Sequence, residues 1–150
     1  MTLHNKGFSL LEVMVVVVIV AILSRFAYPS YIDSVRKAKR GEAKTALMLL
    51  AQQQERYYAQ NNTYLAFTFD ATDAAARQFK AYSGNTAATS AYEISAVACT
   101  GETIRNCVKL TATPGTTNVD KNFSEPKCGA LSLTSSGVRS SAQGSLAECW

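Results

Sequence analysis

Four cysteines are the residues whose type and spacing could carry covalent or metal chemistry. They lie at Cys99, Cys107, Cys128 and Cys149, in the last third of the chain. An even number of cysteines suits disulfide bonds formed in an oxidising compartment. Zinc binding is the alternative, but no two cysteines have the short spacing of a zinc-ligand pair, and the chain has a single histidine, His4. We therefore predict disulfides and no metal site. Three connectivities are open, of which local pairing of Cys99 with Cys107 and of Cys128 with Cys149 is the simplest.

A carboxylate, Glu12, lies inside a long apolar run. The run Phe8–Tyr28 has 21 residues, which as a helix would extend about 31 Å, close to the thickness of a hydrocarbon core. A carboxylate in such a helix costs a few kcal/mol and is usually paired or functional. The nearest cations are poorly placed, because Lys6 lies at the edge of the run and Arg25 would be about 20 Å away along the helix. Glu12 thus lacks a partner in its own chain.

Two other interpretations of the apolar run explain less. A secretory signal peptide would have a shorter apolar core and an A-x-A-like cleavage site. Before Tyr28 the two positions are Arg25 and Ala27, and Arg25 is not small. A plain membrane anchor is physically sound but leaves Glu12 unexplained.

The segment "KGFSLLEV", followed by an apolar helix and "YPSY", resembles the class III signal of type IV pilins. The resemblance implies that a prepilin peptidase cleaves after Gly7, removes residues 1–7 and methylates the new N-terminal Phe8. It also implies that Glu12 of one subunit faces the Phe8 amine of a neighbouring subunit in the filament. A charge pair in a low-dielectric filament core is strongly favoured over two lone charges. Cleavage would create the missing partner of Glu12, which makes it an assembly residue.

The rest of the chain has a looser resemblance to PilE-type minor pilins, carried by "QQQERYYAQNNTY", "KCGALSLTSSGVRSS" and "ECW". The resemblance implies an exposed C-terminal loop, the D-region, bounded by Cys128 and Cys149. The composition "TSSGVRSSAQGS" could not hold such a loop by burial alone, so a disulfide would be needed. Ala21 and Arg25 depart from the family pattern, which has a glycine and a small apolar residue there.

The resemblance divides the chain into a leader (1–7), an apolar membrane-spanning and filament-core helix (8–28) and a globular head (29–150). The implied partners are the inner membrane, prepilin peptidase, the pilus assembly machinery and other pilins. The positive-inside rule alone would put the basic cluster after the span in the cytoplasm. Disulfide formation requires the opposite orientation. We predict a single-pass inner-membrane protein with a periplasmic C-terminal domain, which later joins an extracellular pilus.

After Pro29 the chain has the periodicity of an amphipathic helix ending near Ala59. Pro29 is predicted to kink or interrupt this helix, and Gly41 to weaken it. The cluster Arg36–Arg40 is predicted to face outward. The predicted core stripe consists of Ile32, Val35, Ala43, Ala46, Leu47, Leu49, Leu50 and Tyr57.

An antiparallel sheet is predicted to follow an irregular segment, residues 65–89, which has a short helical piece at 73–80. Two segments alternate as strands, one from Tyr92 to Ala98 and one from Ile104 to Ala112, and a third lies near Gly129–Thr134. The predicted fold class is α+β, with at least three strands laid on the long helix.

Enzymatic function is not predicted. With residues 1–7 removed the chain has no histidine, so Ser-His and Cys-His nucleophiles would lack a base. The sequence contains neither GxGxxG nor GxxxxGK[ST]. Asp70 and Asp73 are better explained by a helix N-terminus than by a carboxylate site. We expect no cofactor.

Three functions agree with these features: a minor pilin serving pilus assembly, twitching motility, adhesion or DNA uptake; a pilin-like DNA receptor; and a type II secretion pseudopilin. The net charge of +4 is too small to imply DNA binding by itself. DNA affinity depends on local phosphate neutralisation, however, and the basic residues of the C-terminal third are the candidates for a local patch. The candidate DNA-contact residues are Lys109, Lys121, Lys127 and Arg139.

Overall fold

The computed structural model describes residues 7–150, apart from the side chains of Phe26 and Ala27. The expectations for residues 1–6, among them Lys6 and His4, lie outside the described residues. The helices and strands are α1 (Leu10–Asn61), β1 (Tyr92–Ala98), β2 (Val108–Pro114), β3 (Leu131–Thr134), β4 (Arg139–Ser141) and α2 (Leu146–Cys149). The chain divides into two compact units, one ending at Lys37 and the other comprising Ala38–Trp150.

In the first unit, α1 presents the apolar run on an unburied surface. All residues from Leu10 to Arg25 are exposed. Among the described residues, α1 is the one helix long and apolar enough to cross a membrane. The predicted interruption at Pro29 is wrong, because α1 is helical from Leu10 to Asn61. Proline removes one backbone donor, and the helix continues past it.

In the second unit, the buried face of α1 has a strict spacing of three and four residues. The buried positions are Arg40, Ala43, Leu47, Leu50 and Gln54. The prediction that Arg40 faces outward is wrong, since only 6% of it is exposed. The placement of Leu49 in the core is also wrong, since 57% of it is exposed. The same holds for Val35, which lies in the first unit and is 36% exposed. Leu49 lies out of phase with the buried positions.

The four strands form one antiparallel meander in the order β1-β2-β3-β4. The predicted strands at Tyr92–Ala98 and near Gly129–Thr134 are confirmed, and the second begins at Val108 instead of Ile104. In β1 to β3 every second residue is buried, up to Ala96 in β1 and Ala112 in β2. The strand β4 was not predicted, because its residues lack apolar alternation.

The sheet and the second-unit part of α1 share one hydrophobic core. The helix contributes Ala43, Leu47 and Leu50, and the sheet contributes Tyr92, Ile94, Ala96, Val108, Leu110, Ala112, Leu131 and Leu133. This arrangement confirms the predicted α+β fold class with a long N-terminal helix and an antiparallel sheet.

The connection between α1 and β1 is mostly irregular, as predicted. It contains two short 3₁₀ helices: Ala76–Gln78, inside the helical piece predicted at 73–80, and Ala87–Thr89, which was not predicted. Phe79 stacks on Phe67 at a centroid distance of 5.2 Å and meets Tyr57 of α1 edge-on at 6.0 Å. These ring contacts attach the connection to the helix.

Candidate functional site

Two disulfides fasten the second unit, in the local pairing described above. Cys99 is bonded to Cys107 and Cys128 to Cys149, with Cα atoms 5.4 Å and 5.7 Å apart. The first closes the turn between β1 and β2. The second joins the segment before β3 to the end of α2, and both of its cysteines are fully buried. The residues between Cys128 and Cys149 include β3, β4 and α2.

A buried ion pair joins α1 to the same C-terminal region. Arg40 donates from Nη2 to Glu125 Oε1 at 2.9 Å and from Nε to Glu125 Oε2 at 3.2 Å. Its Nη1 donates to the backbone carbonyl of Glu148 in α2 at 3.3 Å. Only 6% of Arg40 and 5% of Glu125 are exposed. A buried carboxylate requires such partners, because an unpaired charge in the interior is costly.

Glu125 has further donors around it. The Tyr92 hydroxyl donates to Oε2 at 3.2 Å, and the backbone N–H groups of Lys127 and Cys128 donate to Oε1 at 3.3 Å each. Burial, followed by the negative charge of Glu125, raises the pKa of the Tyr92 phenol well above its ordinary value of 10.0. The phenol therefore stays protonated and serves as a donor. This network fixes the start of the Cys128–Cys149 segment against the helix.

Trp150 is the centre of a cationic surface that follows α2. Its indole Nε1 donates to the Ser140 carbonyl of β4 at 2.9 Å. The Arg139 guanidinium lies over its ring, 5.4 Å from the centroid, a cation–π contact. Lys44 of α1 donates from Nζ to the Trp150 backbone oxygen at 3.2 Å. Trp150 therefore holds one cation from the sheet and one from the helix.

A third cation, Lys127, reaches α2 through Glu148. Lys127 Nζ lies 3.0 Å from Glu148 Oε1, and the side chains are 54% and 50% exposed. Hydrogen bonding to Lys127, together with Ser145, lowers the pKa of Glu148 below its ordinary value. We call Lys44, Lys127, Arg139 and Trp150 the Trp150 cluster. Glu148 is the carboxylate beside it.

Lys44 lies close to other cations of the same region. Burial lowers the pKa of Lys44 below its ordinary value, and the positive charges of Arg40 and Arg139 lower it further. Arg40 is paired with Glu125, and Lys127 is paired with Glu148. An anion placed near Lys44 and Arg139 would offset their repulsion.

The four candidate DNA-contact residues do not form one patch. Lys127 and Arg139 belong to the Trp150 cluster, and Arg139 pairs in register with the buried Leu133, which puts it on the helix side of the sheet. Lys109 pairs with Val97 and Thr134 on the opposite face. Lys121 is exposed in the connection between β2 and β3.

The sequence interpretation missed Lys44 and Trp150. Lys44 lies in the predicted amphipathic helix, and its contact with Trp150 spans 106 residues, so no local pattern indicates it. The available signal for Trp150 was a tryptophan directly after a cysteine predicted to form a disulfide, and in the structure Trp150 is half-buried.

The processing and assembly candidates lie in the first unit. Gly7 and Phe8 precede α1, and Phe8 is 81% exposed. Glu12 is exposed and lines a shallow groove of about 250 Å³ together with Phe8, Val13, Val16 and Val17. Among residues 7–150, no cation lies within ion-pair distance of Glu12.

Comparison with protein families gives two matches. Residues 29–132, more than two-thirds of the chain, match the model described as "Type IV minor pilin ComP, DNA uptake sequence receptor". Residues 3–24 match the prokaryotic N-terminal methylation motif.

Similar curated proteins include the type IV major pilin protein PilA of Myxococcus xanthus, 38% identical over 64 residues, which are 43% of this chain and 29% of that protein. The type II secretion system core protein G of Vibrio cholerae is 41% identical over 60 residues, 40% of this chain and 41% of that protein. The chain spans less than half the length of these relatives.

Similar solved structures include a type IV pilin from Shewanella oneidensis, with a TM-score of 0.47 and 28% identity, covering 77% of this chain and 97% of that one. The non-core minor pilin PilV of Neisseria meningitidis has a TM-score of 0.46 and 23% identity, covering 75% and 91%.

Proposed function

Because the chain belongs to the type IV minor pilin family whose model is described as ComP, DNA uptake sequence receptor, we propose that it is a filament subunit that binds DNA through the Trp150 cluster. The convergence of Lys44, Lys127 and Arg139 on α2 and Trp150 is the observation that carries the DNA-binding part.

The proposed path to the filament begins in the inner membrane. The single apolar helix spans the bilayer with the C-terminal domain in the periplasm, where its disulfides form. Prepilin peptidase cleaves after Gly7 and methylates Phe8. The assembly machinery then transfers the subunit to the extracellular pilus, where Glu12 pairs with the Phe8 amine of a neighbouring pilin.

The structure around Gly7 suggests how to test processing. A Cβ added at Gly7 would meet nothing within 4 Å. A larger residue there should leave the fold of this chain undisturbed, so a processing defect would reflect recognition by the peptidase. We expect Gly7→Val to accumulate in the membrane as full-length precursor, measured by intact mass. Normal cleavage would contradict this assignment.

The proposed DNA contact is with the phosphate backbone. Arg139 and Lys127 are exposed, and the cluster is anchored by a disulfide, an indole hydrogen bond and the Arg40–Glu125 pair. Cations held on a fixed surface lose little conformational freedom when phosphates bind. Each phosphate neutralised contributes about 0.9 to the slope of log affinity against log salt concentration.

The test compares cations inside and outside the Trp150 cluster. A soluble variant lacking residues 1–28 is titrated with labelled duplex DNA, and binding is followed by fluorescence anisotropy at several salt concentrations. Arg139→Ala or Lys127→Ala should weaken binding and reduce the salt slope by about 1. Lys109→Ala and Lys121→Ala remove the same charge elsewhere and serve as matched controls. Equal losses in all four variants would contradict the assignment to the cluster.

The pseudopilin alternative has support in the identity to type II secretion protein G. The two functions differ in the phenotype of a deletion in the natural host. Loss of DNA uptake with normal protein secretion would support the DNA-binding pilin, and the reverse would support the pseudopilin.

A further inference from the structure

The exposed surface of α1 just after the apolar run carries an unusual combination of side chains. Between Phe8 and Asp33 the charged residues are Glu12 and Arg25. Tyr28 and Tyr31 follow Arg25 at intervals of three residues and are 69% and 66% exposed. Residues three apart are neighbours on a helix surface. One cation and two phenols therefore form a short band, which we call the Arg25 band.

The Arg25 band matches the dimensions of a lipid headgroup layer. The apolar stretch Phe8–Ser24 has 17 residues and is about 26 Å long as a helix, a few ångströms short of a hydrocarbon core. Arginine at the end of a short span extends its guanidinium to the interface, and tyrosines are enriched there. From Arg25 to Tyr31 the helix advances about 9 Å, similar to the depth of one headgroup region.

We propose that the Arg25 band binds the phosphate-bearing headgroups of one bilayer leaflet and fixes the depth of the helix before assembly. The proposal rests on the membrane-anchored stage of the proposed function. The guanidinium matches lipid phosphates in charge and hydrogen-bonding geometry, and the phenols have an apolar body and a polar tip. With Arg25 at the phosphates, Glu12 stands about 20 Å deeper, near the opposite end of the span. The band thus sets the position from which Glu12 enters a filament.

The experiment measures helix depth in the full-length chain. Ser30→Cys and Ser34→Cys are made singly, and the protein is placed in vesicles of phosphatidylethanolamine and phosphatidylglycerol. Both serines are exposed, and all four native cysteines are in disulfides. A membrane-impermeant maleimide then labels the new cysteine. Each labelling rate is divided by the rate in detergent micelles, which removes local effects on thiol reactivity.

We expect the Ser34 position to be labelled faster than the Ser30 position. Arg25→Leu lengthens the apolar stretch and should draw the helix inward by about one turn, roughly 5 Å. The Ser34 position should then be labelled at the slower rate that the Ser30 position shows when Arg25 is present. Arg25→Lys should keep the original profile. Lys37→Leu, farther along the helix, is the matched control and should change neither rate.

Three results would overturn the proposal. Unchanged labelling after Arg25→Leu would show that Arg25 does not set the depth. If Arg25→Leu left the depth unchanged but was missing from sheared filaments, Arg25 would instead pair with a carboxylate of a second copy of the chain. Extraction of the unmodified chain by alkaline carbonate would show that the chain is not anchored in the membrane. This result tests the membrane-anchored stage separately, because the labelling rates report only the depth of the helix.

Discussion

Removing Arg40 should destabilise the second unit far more than removing an exposed lysine. Arg40→Met leaves the Glu125 carboxylate in the interior with the Tyr92 hydroxyl and two backbone N–H groups, but without a positive charge. Breaking a buried pair by deleting one partner typically costs about 3–5 kcal/mol. We expect the cost of Arg40→Met to lie in the upper part of this range, because the variant also loses the hydrogen bond to the Glu148 carbonyl. That loss approaches the whole stability of a small domain, about 5–15 kcal/mol.

The assay is urea unfolding of the variant lacking residues 1–28, with disulfides intact and linear extrapolation to water. Lys39→Met is the matched control, because Lys39 pairs with Glu42 at the surface and both side chains are 36% exposed. Such pairs contribute about 0–1 kcal/mol. Adding Glu125→Gln to Arg40→Met should recover part of the loss by removing the stranded charge. A loss below about 1 kcal/mol for Arg40→Met, equal to that of the control, would contradict a stabilising role of the Arg40–Glu125 pair.

Three further predictions concern Glu148, the Cys128–Cys149 disulfide and Glu12. Glu148→Gln should raise the affinity for duplex DNA about threefold, because it frees Lys127 and removes a negative charge from the surface. Because the pKa of Glu148 is lowered, its ion pair with Lys127 is complete above the ordinary pKa and is lost as the pH falls through the lowered pKa. The affinity for duplex DNA should rise in that pH range, and Glu148→Gln should abolish the rise. Replacing Cys128 and Cys149 by serine should lower the free energy of unfolding by about 3 kcal/mol, as measured in urea, and an unchanged value would contradict a structural role for this bond. Glu12→Ala should be processed normally yet be missing from sheared filaments, so normal amounts there would refute an assembly role.

The sequence was most informative where burial imposed a period. The alternation in Tyr92–Ala98 predicted β1 at its observed bounds. The helix was predicted to end near Ala59 and ends at Asn61. In both cases the core covers one face of the element. Apolar side chains therefore recur at the spacing of the buried positions, and burial can be inferred from residue type.

Arg40 shows where the interpretation of the helix failed. Its position, three residues before Ala43 and seven before Leu47, places it on the buried face. The periodicity therefore contained the answer, but arginine was assigned to the surface by type. Burial is possible because Glu125 supplies the opposite charge, and this partner lies 85 residues away in sequence.

The Trp150 cluster could be predicted only in part. Lys127 and Arg139 were named as candidates, but β4 has no apolar alternation and owes its place to pairing with β3 and to the Trp150 indole bond. Without β4, the face on which Arg139 lies could not be assigned. Lys109 was grouped with it because both are basic residues of the C-terminal third, although the two lie on opposite faces of the sheet.

The most direct test of the account is the salt dependence of duplex binding by the unmodified head, the variant lacking residues 1–28. At most three phosphate contacts, from Lys44, Lys127 and Arg139, predict a slope of log affinity against log salt concentration of up to about −2.7. A slope near this value that falls in size by about 1 with Arg139→Ala would support a DNA-binding surface at Trp150. No binding at low salt, or binding that does not depend on salt, would contradict it.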